Sequence, residues 1–235
     1  MIRTGLIASV AGLAVTIGAW LWLDNALPQD ATQAPVHWGL SGAPDRFAPR
    51  DEALSYFMLL PGASIVLTIL LALIPAIEPL GENLRRSARA YLTAWIGAQA
   101  MIALIAVGLA LATANSAGAE TPDSSVFVRS IIAGAGVLIM FIGDVLPKTR
   151  PNFFVGVRTP WTLTSDLAWE RTHRLAGRLF VLVGLWGVIA AFVLNGIALA
   201  FAISAPLIAA VIVACVYSYF VWRADPDKRQ SVRGV

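Results

Sequence analysis

Arg158, Trp161, Trp169, His173 and Arg174 fall in one polar stretch, residues 144–177, that separates two strongly apolar runs. Arg158 brings a planar five-donor fork that suits a carboxylate, a lipid phosphate or a backbone carbonyl. Trp161 and Trp169 suit anchoring at a headgroup interface, and His173 can hydrogen-bond within the loop or to a partner. Asn152 adds an amide, and Asp144 sets a carboxylate near the inner end of the preceding apolar run. Pro147, Pro151 and Pro160 stiffen the stretch, and an apolar patch at 153–157 is flanked by Arg150 and Arg158. Loops longer than about 12–15 residues are usually functional or disordered, and the aromatic content argues against disorder. The competing reading is that these side chains fold the loop against the helix ends. Asp144, four residues before Lys148, can equally sit at the interface and pair with Lys148, Arg150 or Arg158.

A second cluster, His37, Trp38, Asp45 and Arg46, lies in the segment 24–54. Pro28, Pro35, Pro44 and Pro49 with Gly39 and Gly42 predict a folded loop of turns there. Its acids outnumber Arg46 and Arg50, so a cationic peptide would be drawn to it. His37 and His173 are the only histidines and Cys215 the only cysteine. With the histidines on opposite sides of the membrane no shared metal site forms, and neither a metal nor another cofactor is expected. The spans carry no HExxH, GxSxG or paired carboxylates, so no enzyme activity is expected.

The elements that must position these residues are membrane helices. The chain is 58% hydrophobic and 13% charged, against about 25% charged in soluble domains. Apolar runs at 6–23, 55–77, 91–113, 126–146 and a double-length block at 179–222 each supply the roughly 20 residues that cross a hydrocarbon core. An all-α polytopic bundle of six spans is therefore predicted, with the last turn anywhere from Asn195 to Pro206. The first run is read as a retained helix. Small residues at Gly5/Ser9, Ala8/Gly12 and Ser130/Gly134 suit close helix packing. Fourteen of the 17 cations fall on one side if the N-terminus is cytoplasmic. That asymmetry places both termini and the 147–177 loop in the cytoplasm, in a multi-pass protein of the plasma or inner membrane. The net charge of +3 then reflects orientation and contact with membrane lipids, not nucleic-acid binding. Within the loop a helix is predicted to start near Ser165, with a Glu170–Arg174 pair and a stripe of Trp169, His173, Ala176/Gly177 and Phe180 running into the fifth span. The connectors 78–90 and 115–125 show no chemical motif.

Leu146-Pro147-Lys148, Pro151-Asn152-Phe153-Phe154, Gly156 through Thr162, and Trp169 through His173-Arg174-Leu175 resemble the signature of the SdpI family. These are integral membrane proteins named for immunity against a secreted antimicrobial toxin. Pro35-Val36-His37-Trp38 and Gly42-Ala43-Pro44-Asp45 similarly resemble a membrane module that often precedes the SdpI-type region. This chain has Gly143-Asp144 where the family tends to have Gly-Asn, and Gly39 where the module usually has Asn. The resemblance divides the chain into a two-helix module at 1–80 and a four-helix region at 81–235. It implies an immunity or receptor protein that neutralises or senses a secreted peptide toxin, and signals to a cytoplasmic repressor or regulator. The alternative is a small multi-pass transporter exporting a toxin or another solute. Few polar residues in the spans and no visible repeat count against transport.

Overall fold

The computed structural model describes residues 1–39, 43–117 and 125–228. Gly42, residues 118–124 of the 115–125 connector and two of the 17 cations, Arg229 and Arg233, lie outside them. The chain runs α1 (Ile2–Ala26), β1 (Ala34–Trp38), β2 (Pro44–Ala48), α2 (Arg50–Phe57), α3 (Leu59–Ile77), α4 (Gly81–Arg86), α5 (Ala88–Ser116) and α6 (Ser125–Val145). A 3-10 turn at Leu146–Lys148 leads to α7 (Pro160–Leu163), α8 (Asp166–Val193), α9 (Gly196–Ala200) and α10 (Ser204–Ala224). Among the described residues six helices, α2–α3 and α9–α10 each counting as one, are long and apolar enough to cross a membrane. The protein is a multi-pass helical membrane protein.

The segment 24–54 differs from the loop of turns expected. Ala34–Trp38 pairs antiparallel with Pro44–Ala48, with Ala34 opposite Ala48 and His37 opposite Arg46, and the register slips on either side of His37. A two-stranded hairpin tolerates Pro35 and Pro44 because each strand has one unpaired edge. The hairpin stands on the bundle through the core of Leu23, Leu27, Ala34, Phe57 and Ala110. Arg50 locks it further, reaching the Asp24 carboxylate at 2.5 Å and the Asp24 carbonyl at 2.7 Å.

Helix α5, assigned by sequence to the second region, packs on α1 and α3. The face of α1 that meets it is Gly5, Ser9, Gly12, Thr16, Ala19 and Leu23, all buried, so Gly5/Ser9 and Gly12 do serve close packing. Trp95 fills the space a Cβ on Gly5 would take. Gln99, 1% exposed, joins three helices at membrane depth. Its amide nitrogen donates to Ser9 Oγ (3.1 Å), Thr68 Oγ1 (2.9 Å) and the Ser64 carbonyl (3.2 Å), and its oxygen accepts from Ser64 Oγ at 2.7 Å. Trp95 Nε1 adds a bond to Ser9 Oγ at 2.9 Å. Interhelical hydrogen bonds in membranes average about 0.6 kcal/mol each. Gln99→Leu is therefore expected to cost about 1–2 kcal/mol, and an unfolding midpoint equal to wild type in purified protein would show the network idle.

The tightest seam joins α6 to α8. Gly136 and Gly143 on α6 face Gly184 and Gly177 on the antiparallel α8, and a Cβ on any of the four would lie 2.4–2.7 Å from the carbonyl oxygen of its opposite glycine. Seven-residue spacing on both helices keeps the pairs in step along a left-handed crossing. Gly134 instead meets Leu104 and Met101 of α5, and Ser130 bonds the Val126 carbonyl of its own helix. At the far end Arg129 donates to the Ala191 carbonyl and Asn195.

The last connection breaks twice within the stretch from Asn195 to Pro206 left open for it. Asn195 leads into α9 with Gly196 at φ +53°. A second break at 201–203 then precedes α10.

Candidate functional site

The 147–177 segment is a folded cap on one end of the bundle. Helix α8 begins where expected: Ser165 Oγ accepts from Ala168 N at 2.9 Å and donates to the Asp225 carboxylate, with Asp166 in the first turn. That hydroxyl, and then the Asp227 N–H, hold the Asp225 carboxyl below the ordinary carboxylate range. Ahead of it Thr159 and Thr162 form a reciprocal capping box around α7, with Pro160 opening the turn. Thr159 Oγ1 also meets Ser218 Oγ of α10 at 3.1 Å, and Trp161 packs edge-on against Tyr219 with centroids 5.3 Å apart.

His173 is the centre of the cap and has no solvent-exposed surface. Its Nε2 lies 3.0 Å from Val157 N, and its Nδ1 lies 2.8 Å from the Trp169 carbonyl. A backbone N–H can only donate, so Nε2 carries no proton and Nδ1 carries the single one. Trp169 stacks on the ring at 4.0 Å and 20°, and its Nε1 donates to the Thr149 carbonyl at 3.1 Å. Gly156 lies against the Nε2 edge of the imidazole with φ +119°. A Cβ there would stand 2.1 Å from His173 Nε2.

Asn152, fully buried, folds the turn that follows Pro151. Its side-chain oxygen accepts from Phe154 N (3.0 Å) and Val155 N (2.7 Å), and its nitrogen donates to the Arg150 and Val155 carbonyls. Arg158 uses its fork on the Phe153 carbonyl of its own loop. Arg174 is exposed and pairs with Glu170 at 2.5 Å across one helical turn. Asp144 pairs in the same way with Lys148 at 3.0 Å, both exposed, so of the three cations open to it from the sequence it takes Lys148.

Sequence reasoning missed the other half of the cap. The connector 78–90 grips the loop's backbone at three points: Glu78 Oε2 accepts from Phe153 N at 3.0 Å, Asn83 Nδ2 donates to the Pro151 carbonyl at 2.9 Å, and Ser87 Oγ accepts from Arg150 N at 2.9 Å. Glu78 is 7% exposed and takes Leu80 N on its other oxygen at 2.9 Å. An acid closing the apolar run of α3, ahead of a basic connector, was the available signal. A polar cleft of about 750 Å³ lies alongside, lined by Arg86, Lys148, Arg150, Asp166 and Glu170 among others.

At the opposite end of the bundle the hairpin residues gather. His37 Nδ1 and Asp45 Oδ1 are 2.5 Å apart, and Trp38 meets Phe127 edge-on at 5.6 Å. His37, Trp38 and Arg46 line the mouth of a pocket of about 270 Å³ floored by Phe57, Leu60 and Leu109. The two clusters are thus each assembled, and they are not brought together.

Six apolar spans, a polar cap folded on one end and a hairpin on the other define a multi-pass membrane protein. Residues 148–219 match the model of the SdpI/YfhL protein family. The chain is also similar to the immunity protein SdpI of Bacillus subtilis (strain 168), with 31% identity over 51 residues. That alignment covers 22% of this chain and 25% of the relative, so the chain spans about a quarter of the length of the curated protein it matches. No solved structure matches.

Proposed function

We propose that this protein confers immunity to a secreted peptide toxin, binding it at the hairpin end and holding its cytoplasmic cap as the surface offered to a regulator. The match of residues 148–219 to a family that includes a named immunity protein carries this reading. In it both termini and the cap face the cytoplasm, as the distribution of cations favours. A reporter fused after residue 160 is then expected to read the cytoplasmic side, and an outside signal would reverse the roles of the two ends.

The hairpin pocket suits first contact: an apolar floor with a histidine, a carboxylate and a guanidinium at its rim. Because His173, Trp169 and Asn152 are turned inward, they act by keeping the cap in shape, and the exposed Arg171, Arg174 and Arg178 are its partner-facing charges. Binding alone accounts for protection, with no chemical step.

The test is toxin challenge of a sensitive strain expressing the chain. Wild type should protect, and Asp45→Ala, which removes a carboxylate from the pocket's rim, should lower the tolerated dose about tenfold, the effect of losing roughly 1.4 kcal/mol of contact. Protection should also weaken as salt screens the acidic hairpin segment. Glu78→Gln, which takes one backbone acceptor from the cap, should lose toxin-induced transcription before it loses protection. Failure of the wild type to protect at normal membrane abundance would end the proposal.

A further inference from the structure

Between α5 and α6 runs a groove of about 770 Å³ whose polar lining, Arg89, Thr93, Asp144 and Lys148, is confined to the cap end. Beyond that rim it is apolar, walled by Ile96, Ala100, Leu104, Val137 and Phe141 down to Gly134. Ile96 and Phe141 are 41% and 61% exposed, so the groove opens sideways to where lipid lies. From Asp144 to Gly134 is ten helical residues, about 15 Å, the depth of one leaflet of a core about 30 Å thick.

Charge and depth together select the occupant. Lys148 is offset by Asp144 at 3.0 Å, whereas Arg89 is exposed and has no acidic partner among the described residues, leaving one net positive charge at the rim. A transmembrane peptide would need a track through both leaflets. We propose that this groove is a binding site for an anionic phospholipid of the cap-side leaflet, one acyl chain lying along Ala100 and Phe141 and the phosphate taken by Arg89 and Lys148. A free anion would find the rim but have no use for the apolar wall below it.

The test is lipid retention by the full chain purified in detergent and read by native mass spectrometry, with phosphatidylglycerol and phosphatidylcholine of the same acyl chains as probes. One net cation near a headgroup predicts about fivefold stronger retention of phosphatidylglycerol. Arg89→Gln, at an exposed position, should erase that preference while leaving retention of the zwitterionic lipid. Ala100→Trp, which fills the groove from its open side, should reduce retention of both lipids with the melting temperature kept. Equal retention of the two lipids by wild type, or phosphatidylglycerol retention unchanged in both variants, would overturn the proposal. Displacement of the lipid by an equal concentration of soluble glycerophosphoglycerol would likewise overturn it, since the acyl chain would then contribute nothing.

Discussion

Gly156→Ala is expected to unfold the cap while leaving the six spans in place. The residue sits at φ +119°, where a side chain alone costs about 1–3 kcal/mol. Its Cβ would also stand 2.1 Å from His173 Nε2, the atom that accepts from Val157 N. His173 has little room to give way, because Trp169 stacks on its ring at 4.0 Å and the nitrogen at the opposite edge is held by the Trp169 carbonyl. Loss of the Val157 bond then leaves a buried donor and acceptor unmatched, worth about another 1–3 kcal/mol. Amide exchange across 150–162 should rise to the level of an open loop, with the protection of the six spans unchanged. A cap as protected as in wild type would show that His173 is not its keystone. His173→Ala in the Gly156→Ala background should recover part of the protection by removing the clash, although the Val157 donor stays unpaired.

Gly184→Ala is expected to damage the bundle itself. The added carbon would lie 2.4 Å from the Gly136 carbonyl oxygen and 2.8 Å from Met140 N, both backbone atoms of a helix that cannot flex locally. Overpacking typically costs about 1–3 kcal/mol, and an obstacle made of backbone puts this site at the upper end. Gly18→Ala supplies the control, because a Cβ there meets nothing within 4 Å. It should gain about 0.5–1 kcal/mol from lost backbone freedom in the unfolded chain. Thermal unfolding in one detergent should therefore move the two variants in opposite directions. Equal shifts would mean that α6 and α8 do not touch through their glycines.

Hydropathy revealed the spans because a bilayer demands continuous apolar runs, and the Ser165 start of α8 was readable because capping is local. The Glu170–Arg174 and Asp144–Lys148 pairs were readable for the same reason, both lying at i,i+4. The Gly136–Gly184 seam escaped, since small residues are common in these helices and only the crossing shows which ones touch. Gln99 escaped as well: one amide on α5 and hydroxyls scattered over α1 and α3 look like a shortage of polar groups until they meet. The hairpin was hidden by prolines that argue against a central strand but not against a lone pair of strands. Glu78, Asn83 and Ser87 looked like plain connector residues because their partners are backbone atoms, which leave no pattern of residue types. Asn152, Trp169 and His173 stood out correctly as unusual, while the direction they face, into their own loop, is a property of the fold.

Those long separations also set an order of events during synthesis. Glu78, Asn83 and Ser87 precede their partners by 75, 68 and 63 residues, several seconds of translation at about 5–20 residues per second. The ribosome thus delivers the connector side of the cap first, as a finished edge next to the inserted α3, and the Pro151–Val155 turn meets it as soon as it emerges. Thr159 and Ser165 must wait for Ser218 and Asp225, 59 and 60 residues later. The cap is consequently sewn in two stages, and a chain halted between α8 and α10 would carry a turn already fastened to the connector beside a helix start still missing its last partner.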